Sequence, residues 1–145
     1  MNIVVDTNIL FSVIVTPKGK IASTIESIKN NHIIFISDFS FEELSKHKNR
    51  LITLSKLSEI EVDKTIYFFE KNFNVVSSDL FPSNIIIESF ELVKDVDVND
   101  LPIVAASLFT KSILFTGDKK LYDALKLKNF KTVFNAAELR ELLQL

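Results

Sequence analysis

Short apolar runs alternate with stretches in which apolar residues recur at helical spacing. The runs, rich in β-branched and aromatic residues, are typical of buried strands and cover residues 3–5, 32–36, 74–77, 112–116 and 131–134. The pattern predicts helices between them, over residues 20–29, 37–50, about 58–72, a stretch around 86–93, an apolar stretch with Pro102 near its start, 119–127 and 136–143. This alternation predicts an α/β protein with a parallel sheet of about five strands and helices on both faces.

Local signals set the ends and faces of several of these helices. Ser58 and Glu61 have the spacing of a capping box before the helix of about 58–72, and Asn135 is a candidate N-cap for the last helix. The predicted inward-facing positions are Ile21, Ile25, Ile28, Phe39, Phe41, Leu44, Val62, Ile66, Phe69, Phe73, Ile86, Phe90 and Val93.

Four acidic residues occupy related places in this pattern. Asp6 and Asp118 follow strands directly, Glu43 lies in the first turns of the helix after the second strand, and Asp100 opens the helix before the fourth strand. In open parallel sheets, ligands bind at the carboxyl ends of the strands. Four carboxylates meeting there would repel one another without a divalent cation, and oxygen ligands favour Mg²⁺ or Mn²⁺. Such ions can promote displacement at a phosphodiester.

Each acid also has a purely structural interpretation. Asp6, Asp100 and Asp118 stand where N-cap residues stand, and Glu43 could complete a capping box with Ser40. Capping does not exclude metal binding, because a carboxylate has several lone pairs. The set of four, rather than any one member, therefore favours a metal site.

Composition narrows the function classes. The chain has 145 residues, 47% of them hydrophobic, which suits one domain over residues 1–145. It contains no cysteine, so a metal would need oxygen or imidazole ligands. The absence of a signal-like start and of a long apolar run predicts a cytoplasmic protein that does not enter the membrane. A net charge of −2 means that a nucleic acid would be bound through a local basic patch or bridging metal ions.

Several motifs resemble those of PIN-domain proteins, a family of metal-dependent ribonucleases that includes toxins of toxin–antitoxin pairs. The motifs are IVVDTN at residues 3–8, EEL at 42–44, DVNDLPIVAA at 97–106 and LFTGD at 114–118. They occur in the family's order along nearly the whole chain. The resemblance implies a three-layer α/β/α Rossmann-like sandwich with five parallel strands. It also implies hydrolysis of RNA phosphodiester bonds.

Carried onto this sequence, the resemblance gives roles to particular residues. Asp6, Asp100 and Asp118 would hold Mg²⁺ or Mn²⁺, and Glu43 would help to hold the metal and to position or deprotonate the attacking water. Glu43 is preferred to Glu42 because the family's acid precedes an apolar residue such as Leu44. Further candidates are Asn8 and Thr116, as hydrogen-bonding partners that orient the carboxylates, and Asp97, as a supporting or alternative ligand.

Basic residues near these motifs are candidate RNA contacts. They are Lys46, Lys48 and Arg50 in the run 46–50, and Lys119 and Lys120 after Asp118. A structural interpretation of these side chains is favoured, because cations near a helix C-terminus suit its dipole and exposed lysines are ordinary surface residues. The resemblance further implies a homodimer and, for a toxin, an antitoxin protein as partner.

Two other functions fit parts of the sequence. A PIN-like fold could serve as a catalytically silent protein-interaction module, although the intact set of acids disfavours this. A haloacid-dehalogenase-like phosphatase also begins with a strand that ends in Asp, but it needs a second Asp where Asn8 stands. A dinucleotide-binding domain is excluded by the missing glycine-rich turn, since Gly19 and Gly117 are the only glycines.

Overall fold

Five parallel strands form a single sheet in the computed structural model, which describes residues 1–145. The strands are β1 (Asn2–Val5), β2 (Ile33–Ser37), β3 (Asn74–Val76), β4 (Ile113–Phe115) and β5 (Val133–Phe134). Their order across the sheet is β3-β2-β1-β4-β5, with Val4 of β1 opposite Phe35 of β2 and Leu114 of β4. The central strand β1 therefore ends at Asp6, between the ends of β2 and β4.

Nine helices connect and cover the strands. They are α1 (Thr7–Val15), α2 (Lys20–Ile28), α3 (Asp38–Lys46), α4 (Lys48–Ser55), α5 (Glu59–Asn72), α6 (Ser83–Val93), α7 (Leu101–Thr110), α8 (Lys119–Leu127) and α9 (Ala136–Leu142). Two short 3-10 turns, Ser78–Leu80 and Val98–Asp100, precede α6 and α7. No helix combines the length and the apolar character that crossing a membrane requires.

The alternation of side chains along β1 divides the core into two layers. Ile3 and Val5 pack on one face of the sheet in a buried cluster with residues of α1, α2, α4, α5 and α9. Val4 points to the other face and packs in a second cluster with residues of α6, α7 and α8. A strand buried on both faces is continuously apolar for this reason. The predicted α/β/α sandwich is confirmed.

Two helix starts follow the predicted capping chemistry. Ser58 and Glu61 form a reciprocal capping box at the start of α5, and Asn135 and Glu138 form another at the start of α9. In both cases the side chain of the first residue accepts from the backbone N–H of the acid, which otherwise has no partner at a helix start.

The predicted inward face of α6 is right at Val93, which is buried, and wrong at the other two positions. Ile86 and Phe90 are 41% and 44% exposed, and the helix instead turns Ile85 and Ser89 towards the core together with Val93. Burial of Ser89 is compatible with an apolar layer because its hydroxyl donates to the Ile85 carbonyl oxygen at 2.7 Å. Because the buried face of α6 contains a serine, hydrophobic periodicity does not identify it.

The predicted helix over residues 37–50 is two helices. α3 ends and α4 begins at His47, so that both Leu44 and Leu51 reach the core. The capping box suggested for Ser40 and Glu43 is also wrong. Ser37 is the N-cap of α3, and the Ser40 hydroxyl is hydrogen-bonded to the Thr7 hydroxyl at 2.8 Å.

Candidate active site

Asp6 is a buried carboxylate at the end of the central strand. Only 6% of the residue is exposed. Its Oδ1 accepts a hydrogen bond from the Thr7 N–H at 2.7 Å, and its Oδ2 accepts one from the Thr116 hydroxyl at 2.7 Å. Asp6 thus caps α1, as its structural interpretation predicts, and the same bonds fix its direction.

A network of polar groups links Asp6 to the segment that carries Asp118. The Asp118 N–H donates to the Thr116 hydroxyl oxygen at 3.0 Å, and the Gly117 N–H donates to Asn8 Oδ1 at 3.0 Å. The amide of Asn8 in turn lies 3.4 Å from Asp6 Oδ2. The side chains of Asn8 and Thr116 therefore contact the Asp6 carboxylate and the backbone of residues 117 and 118, and they hold the ends of β1 and β4 together.

Asp118 and Asp100 occupy similar places in the chain but bond differently. Asp118 Oδ1 caps α8 by accepting from the N–H groups of Lys120 and Leu121 at 3.0 and 3.2 Å. Asp100 stands at the N-cap position of α7 without a side-chain capping bond. The capping interpretation therefore fits Asp118 and fails for Asp100, whose half-buried carboxylate has no structural partner to explain it.

The charges of the acids act on one another. The pKa of Asp100 is raised to about 7, chiefly by burial and then, in order of importance, by the negative charges of Asp6, Asp118 and Asp97. The pKa of Asp6 is raised to about 6, chiefly by burial and least by the charge of Asp118, although the hydrogen bonds from Thr116 and Thr7 act to lower it. Three acids from distant parts of the chain thus share one electrostatic environment.

Glu43 faces the same region, whereas its neighbour does not. Glu43 is half-buried and lines the cleft that contains Asp6, Asp100 and Asp118, while Glu42 is exposed outside it. Adjacent helical residues point about 100° apart, so only one of the pair can face the cleft. Glu43 Oε2 lies 3.6 Å from His47 Nε2.

The cleft has a volume of about 550 Å³ and carries positive charge on one side. Lys46 and Arg50 line it, and the Arg50 guanidinium lies 5.5 Å from the centre of the Phe11 ring. Lys48 points elsewhere, to Asp63 at 2.8 Å and Glu59 at 3.8 Å. Of the five basic residues singled out in the sequence, Lys46 and Arg50 alone line this cleft.

The two lysines after Asp118 lie outside the cleft. Lys119 pairs with Asp123 at 2.7 Å, and Lys120 is exposed. Asp97 does line the cleft, but it is exposed, and its carboxylate accepts from the Asn99 N–H at 2.9 Å. Asp97 therefore lies at the rim of the cleft, apart from the more buried acids.

The donors in the cleft are of the kind that hard divalent cations prefer. Asp6, Glu43, Asp100 and Asp118 offer carboxylate oxygens without sulfur, and Asp6 and Asp100 have raised pKa values that a bound cation would reverse. No three Asp, Glu or His side chains stand close enough together to hold one ion as they are placed. The donor set therefore fits a hard divalent cation, and binding needs side-chain movement, for which Asp100 has no hydrogen bond to break.

Some residues of the cleft have no signal in the sequence analysis. Phe11, Ser12 and Asn99 line it, and His47 lies opposite Glu43. Phe11 and Ser12 lie one turn after the DTN motif, so the helical repeat from Thr7 and Asn8 could have found them. No local sequence pattern indicates the break between α3 and α4 that places His47 beside Glu43.

The chain is similar to a known protein family and to several solved structures. The family model described as "PIN domain" matches residues 4–137. A solved structure of VapBC2 from Rickettsia felis bound to a promoter DNA fragment is similar at 19% identity and a TM-score of 0.65, covering 93% of this chain and 98% of that one. VapBC-1 from nontypeable Haemophilus influenzae gives 19% identity, a TM-score of 0.65 and coverage of 94% and 99%.

A third structural relative is PAE2754 from Pyrobaculum aerophilum. It shares 12% identity with a TM-score of 0.66, covering 100% of this chain and 91% of the other. At these identities the likeness concerns the fold. A search of curated protein sequences finds no match.

Proposed function

Because this chain belongs to the PIN-domain family, we propose that it is a metal-dependent endoribonuclease, a hydrolase that cuts RNA phosphodiester bonds in the cleft of Asp6, Glu43, Asp100 and Asp118. The meeting of Asp6, Glu43, Asp100 and Asp118 in one cleft carries this proposal, because structural capping gives no reason to gather four carboxylates from separate elements in one place. The haloacid-dehalogenase alternative lacks its second Asp, and Asn8 instead bonds to Gly117.

In this proposal the four acids are the residues that would hold Mg²⁺ or Mn²⁺. When bound, such ions would neutralise the carboxylates and withdraw charge from the phosphate oxygens. Thr116 and the Thr7 N–H keep the Asp6 oxygens turned to the cleft, because each oxygen accepts one of their hydrogen bonds. Lys120 and Leu121 do the same for Asp118 through their backbone N–H groups.

Glu43 is the proposed acceptor for a proton of the attacking water. It lines the cleft without a capping bond, so its carboxylate is available for this task. The water oxygen forms a bond to phosphorus while one of its protons passes to Glu43, and the bond between phosphorus and the leaving ribose oxygen breaks as that oxygen takes up a proton from solvent. His47, 3.6 Å from Glu43, restricts where that carboxylate points.

Lys46 and Arg50 are the proposed contacts to the RNA backbone next to the acids. A net charge of −2 cannot attract RNA, so local charge must do so. Arg50 is suited to this role because its guanidinium rests near Phe11, which limits the directions it can take.

The structural likeness to VapBC complexes supports the further proposal that this chain is the toxin of a toxin–antitoxin pair in the cytoplasm, inhibited by an antitoxin protein. A homodimer is also proposed. Its candidate surface is the exposed apolar face of α6, formed by Ile86, Ile87 and Phe90, which are 41%, 63% and 44% exposed.

The decisive experiment is an RNA cleavage assay with Mn²⁺, with chelator in place of Mn²⁺, and with the variants Asp6→Asn and Asp79→Asn. Asp79 is an exposed acid outside the cleft and serves as the matched control. We expect cleavage by the wild type and by Asp79→Asn with Mn²⁺ only, and none by Asp6→Asn. Cleavage that survives both chelation and the Asp6 substitution would reject the chemistry. A folded, metal-binding wild type that cuts no RNA would favour the silent interaction module.

A further inference from the structure

A second pocket adjoins the cleft on the other side of Asp118. It has a volume of about 450 Å³ and lies between the segment Thr116–Asp118, the start of α8 and the start of α9. The structure has four concavities, and this pocket alone shares a residue, Asp118, with the cleft. We call it the Tyr122 pocket.

The wall between the cleft and the Tyr122 pocket is held in place from both sides. Thr116 is buried, with its hydroxyl bonded to Asp6 and to the Asp118 N–H. Gly117 is bonded through its N–H to Asn8. The segment Thr116–Asp118 is therefore a rigid ridge with one concavity on each side. A polymer bound across Asp118 would contact this ridge and both concavities.

The lining of the Tyr122 pocket suits a flat ring. Tyr122 is half-buried, and the side chains of Ala136 and Ala137 leave apolar space opposite the loop. The Lys126 ammonium lies 5.3 Å from the centre of the Tyr122 ring, so one side of that ring is already occupied by a cation. Every nucleobase has a π face that can stack on such a side chain.

Positive charge at the rim can meet a phosphate. Lys119 lines the Tyr122 pocket with its side chain 85% exposed, and its ion pair with Asp123 is a surface pair. Surface pairs of this kind contribute little to stability, so a phosphate can take the place of the Asp123 carboxylate at small cost.

We propose that the Tyr122 pocket binds the nucleotide that adjoins the scissile phosphate on the side away from Lys46 and Arg50, with its base against Tyr122 and its outer phosphate near Lys119. This inference rests on the proposed ribonuclease function. It follows from the substrate being a polymer, because a phosphodiester placed at Asp118 has a nucleotide on each side, and Asp118 lines both the cleft and the Tyr122 pocket. A volume of about 450 Å³ lies within the range of roughly 300–1,000 Å³ typical of sites for single small ligands.

The test uses two variants that change the pocket in opposite ways. Tyr122→Ala removes the ring, and Ala137→Trp fills the space from an exposed helical position. The matched control is Ala22→Trp, the same exchange in a separate concavity on α2. Each is made in the full-length protein, with and without Asp6→Asn, and thermal melting verifies that each is folded.

Two measurements decide the proposal. In the Asp6→Asn background, binding of a labelled single-stranded RNA to Tyr122→Ala and Ala137→Trp should weaken about tenfold, as expected when one base–aromatic stack is lost. In the active background, the base preference at the position adjoining the cut should change in both variants, while preferences further away remain. Ala22→Trp should match its parent in both measurements.

Unchanged RNA affinity together with an unchanged base preference in both folded variants would overturn the proposal. Failure of the ribonuclease function itself is distinguishable, because it would appear as absence of cleavage by the wild type with Mn²⁺. The binding measurement on the Asp6→Asn protein decides the pocket in either case.

Discussion

The Thr116 hydroxyl donates a hydrogen bond of 2.7 Å to Oδ2 of Asp6, joining residues 110 positions apart in the sequence. The same hydroxyl oxygen accepts from the Asp118 N–H at 3.0 Å. One buried side chain thus connects the carboxylate at the end of β1 to the backbone that carries the acid after β4. Both ends of this link reach the proposed metal site.

Thr116→Val should therefore weaken metal binding and RNA cleavage by about 10- to 100-fold, the usual effect of losing a group that orients a ligand. Valine keeps the shape of threonine but supplies neither bond. Mn²⁺ affinity is measured by titration calorimetry and cleavage under saturating Mn²⁺. Thr132→Val, at an exposed threonine before β5, is the control. Equal Mn²⁺ affinity in Thr116→Val and wild type would contradict the orienting role.

Much of the fold is predictable because its signals are local. The strand Ile3–Val5 is continuously apolar since both of its faces are buried, and the capping box of Ser58 and Glu61 marks the start of α5 within four residues. The face of α6 is not predictable in this way. The Ser89 hydroxyl donates to a backbone carbonyl of the same helix, so a polar residue can occupy a buried position there.

For the candidate site, the sequence predicts which acids lie at the same edge of the sheet, because their positions in the chain decide this. Asp6 and Asp118 follow parallel strands, and strand ends meet at one edge of the sheet. The side-chain environment needs three-dimensional contacts instead. The ion pair of Lys48 with Asp63 and the contact of Arg50 with Phe11 each join residues that no local pattern relates.

Glu43 and Glu42 provide a matched pair on one helix. Glu43→Gln should lower the rate of RNA cleavage by about 10²- to 10⁴-fold, the range for loss of a general base, because Glu43 lines the cleft. Glu42→Gln should leave the rate unchanged, since Glu42 is exposed outside the cleft. Rates are compared at saturating Mn²⁺ and RNA. An equal loss in the two variants would assign the effect to the helix rather than to the Glu43 carboxylate.

Arg50 and Lys48 allow a basic residue that lines the cleft to be compared with one that is held in ion pairs outside it. Arg50→Ala in the Asp6→Asn background should weaken RNA binding and reduce the slope of log affinity against log salt by about 1, as expected for one lost phosphate contact. Lys48→Ala should leave the salt slope unchanged, because Lys48 is engaged by Asp63 and Glu59. The measurement is a fluorescence anisotropy titration over a series of salt concentrations. A change of slope in Lys48→Ala alone would reverse the assignment of the basic residues.

Ile87 tests the proposed dimer surface. Ile87→Lys places a charge in the middle of the apolar face of α6 and should shift the protein from dimer to monomer in light scattering at fixed concentration. Leu127→Lys makes a similar exchange at an apolar residue that is 85% exposed on α8, and it should leave the mass unchanged. A wild-type protein that is monomeric at high concentration would contradict the dimer.

The raised pKa values predict how the metal-free protein responds to pH. In the folded state the pKa values of Asp6 and Asp100 are about 6 and about 7, whereas the ordinary pKa of an aspartate in the unfolded chain is 3.8. Between these values the folded state binds more protons than the unfolded state, so the free energy of unfolding falls as the pH rises from about 4 to about 7. Mn²⁺ should reverse this loss, because the ion binds the ionised carboxylates and raises the melting temperature most at the high end of the range.

Asp100→Asn isolates this effect. In the wild type, the pKa of Asp100 is about 7 because of burial and the charges of Asp6, Asp118 and Asp97. No hydrogen bond to the Asp100 side chain offsets this repulsion. The asparagine variant should raise the free energy of unfolding of the metal-free protein at about pH 8 by ~2 kcal/mol, after allowance for partial exposure of the side chain. Near pH 3 the difference should vanish, because Asp100 is then protonated in both states. Urea denaturation with chelator at the two pH values measures both quantities, and Asp79→Asn should change neither by more than about 0.5 kcal/mol. If Asp100→Asn is no more stable than wild type at the higher pH, the acids do not repel one another in the cleft, and the electrostatic argument for a metal site fails.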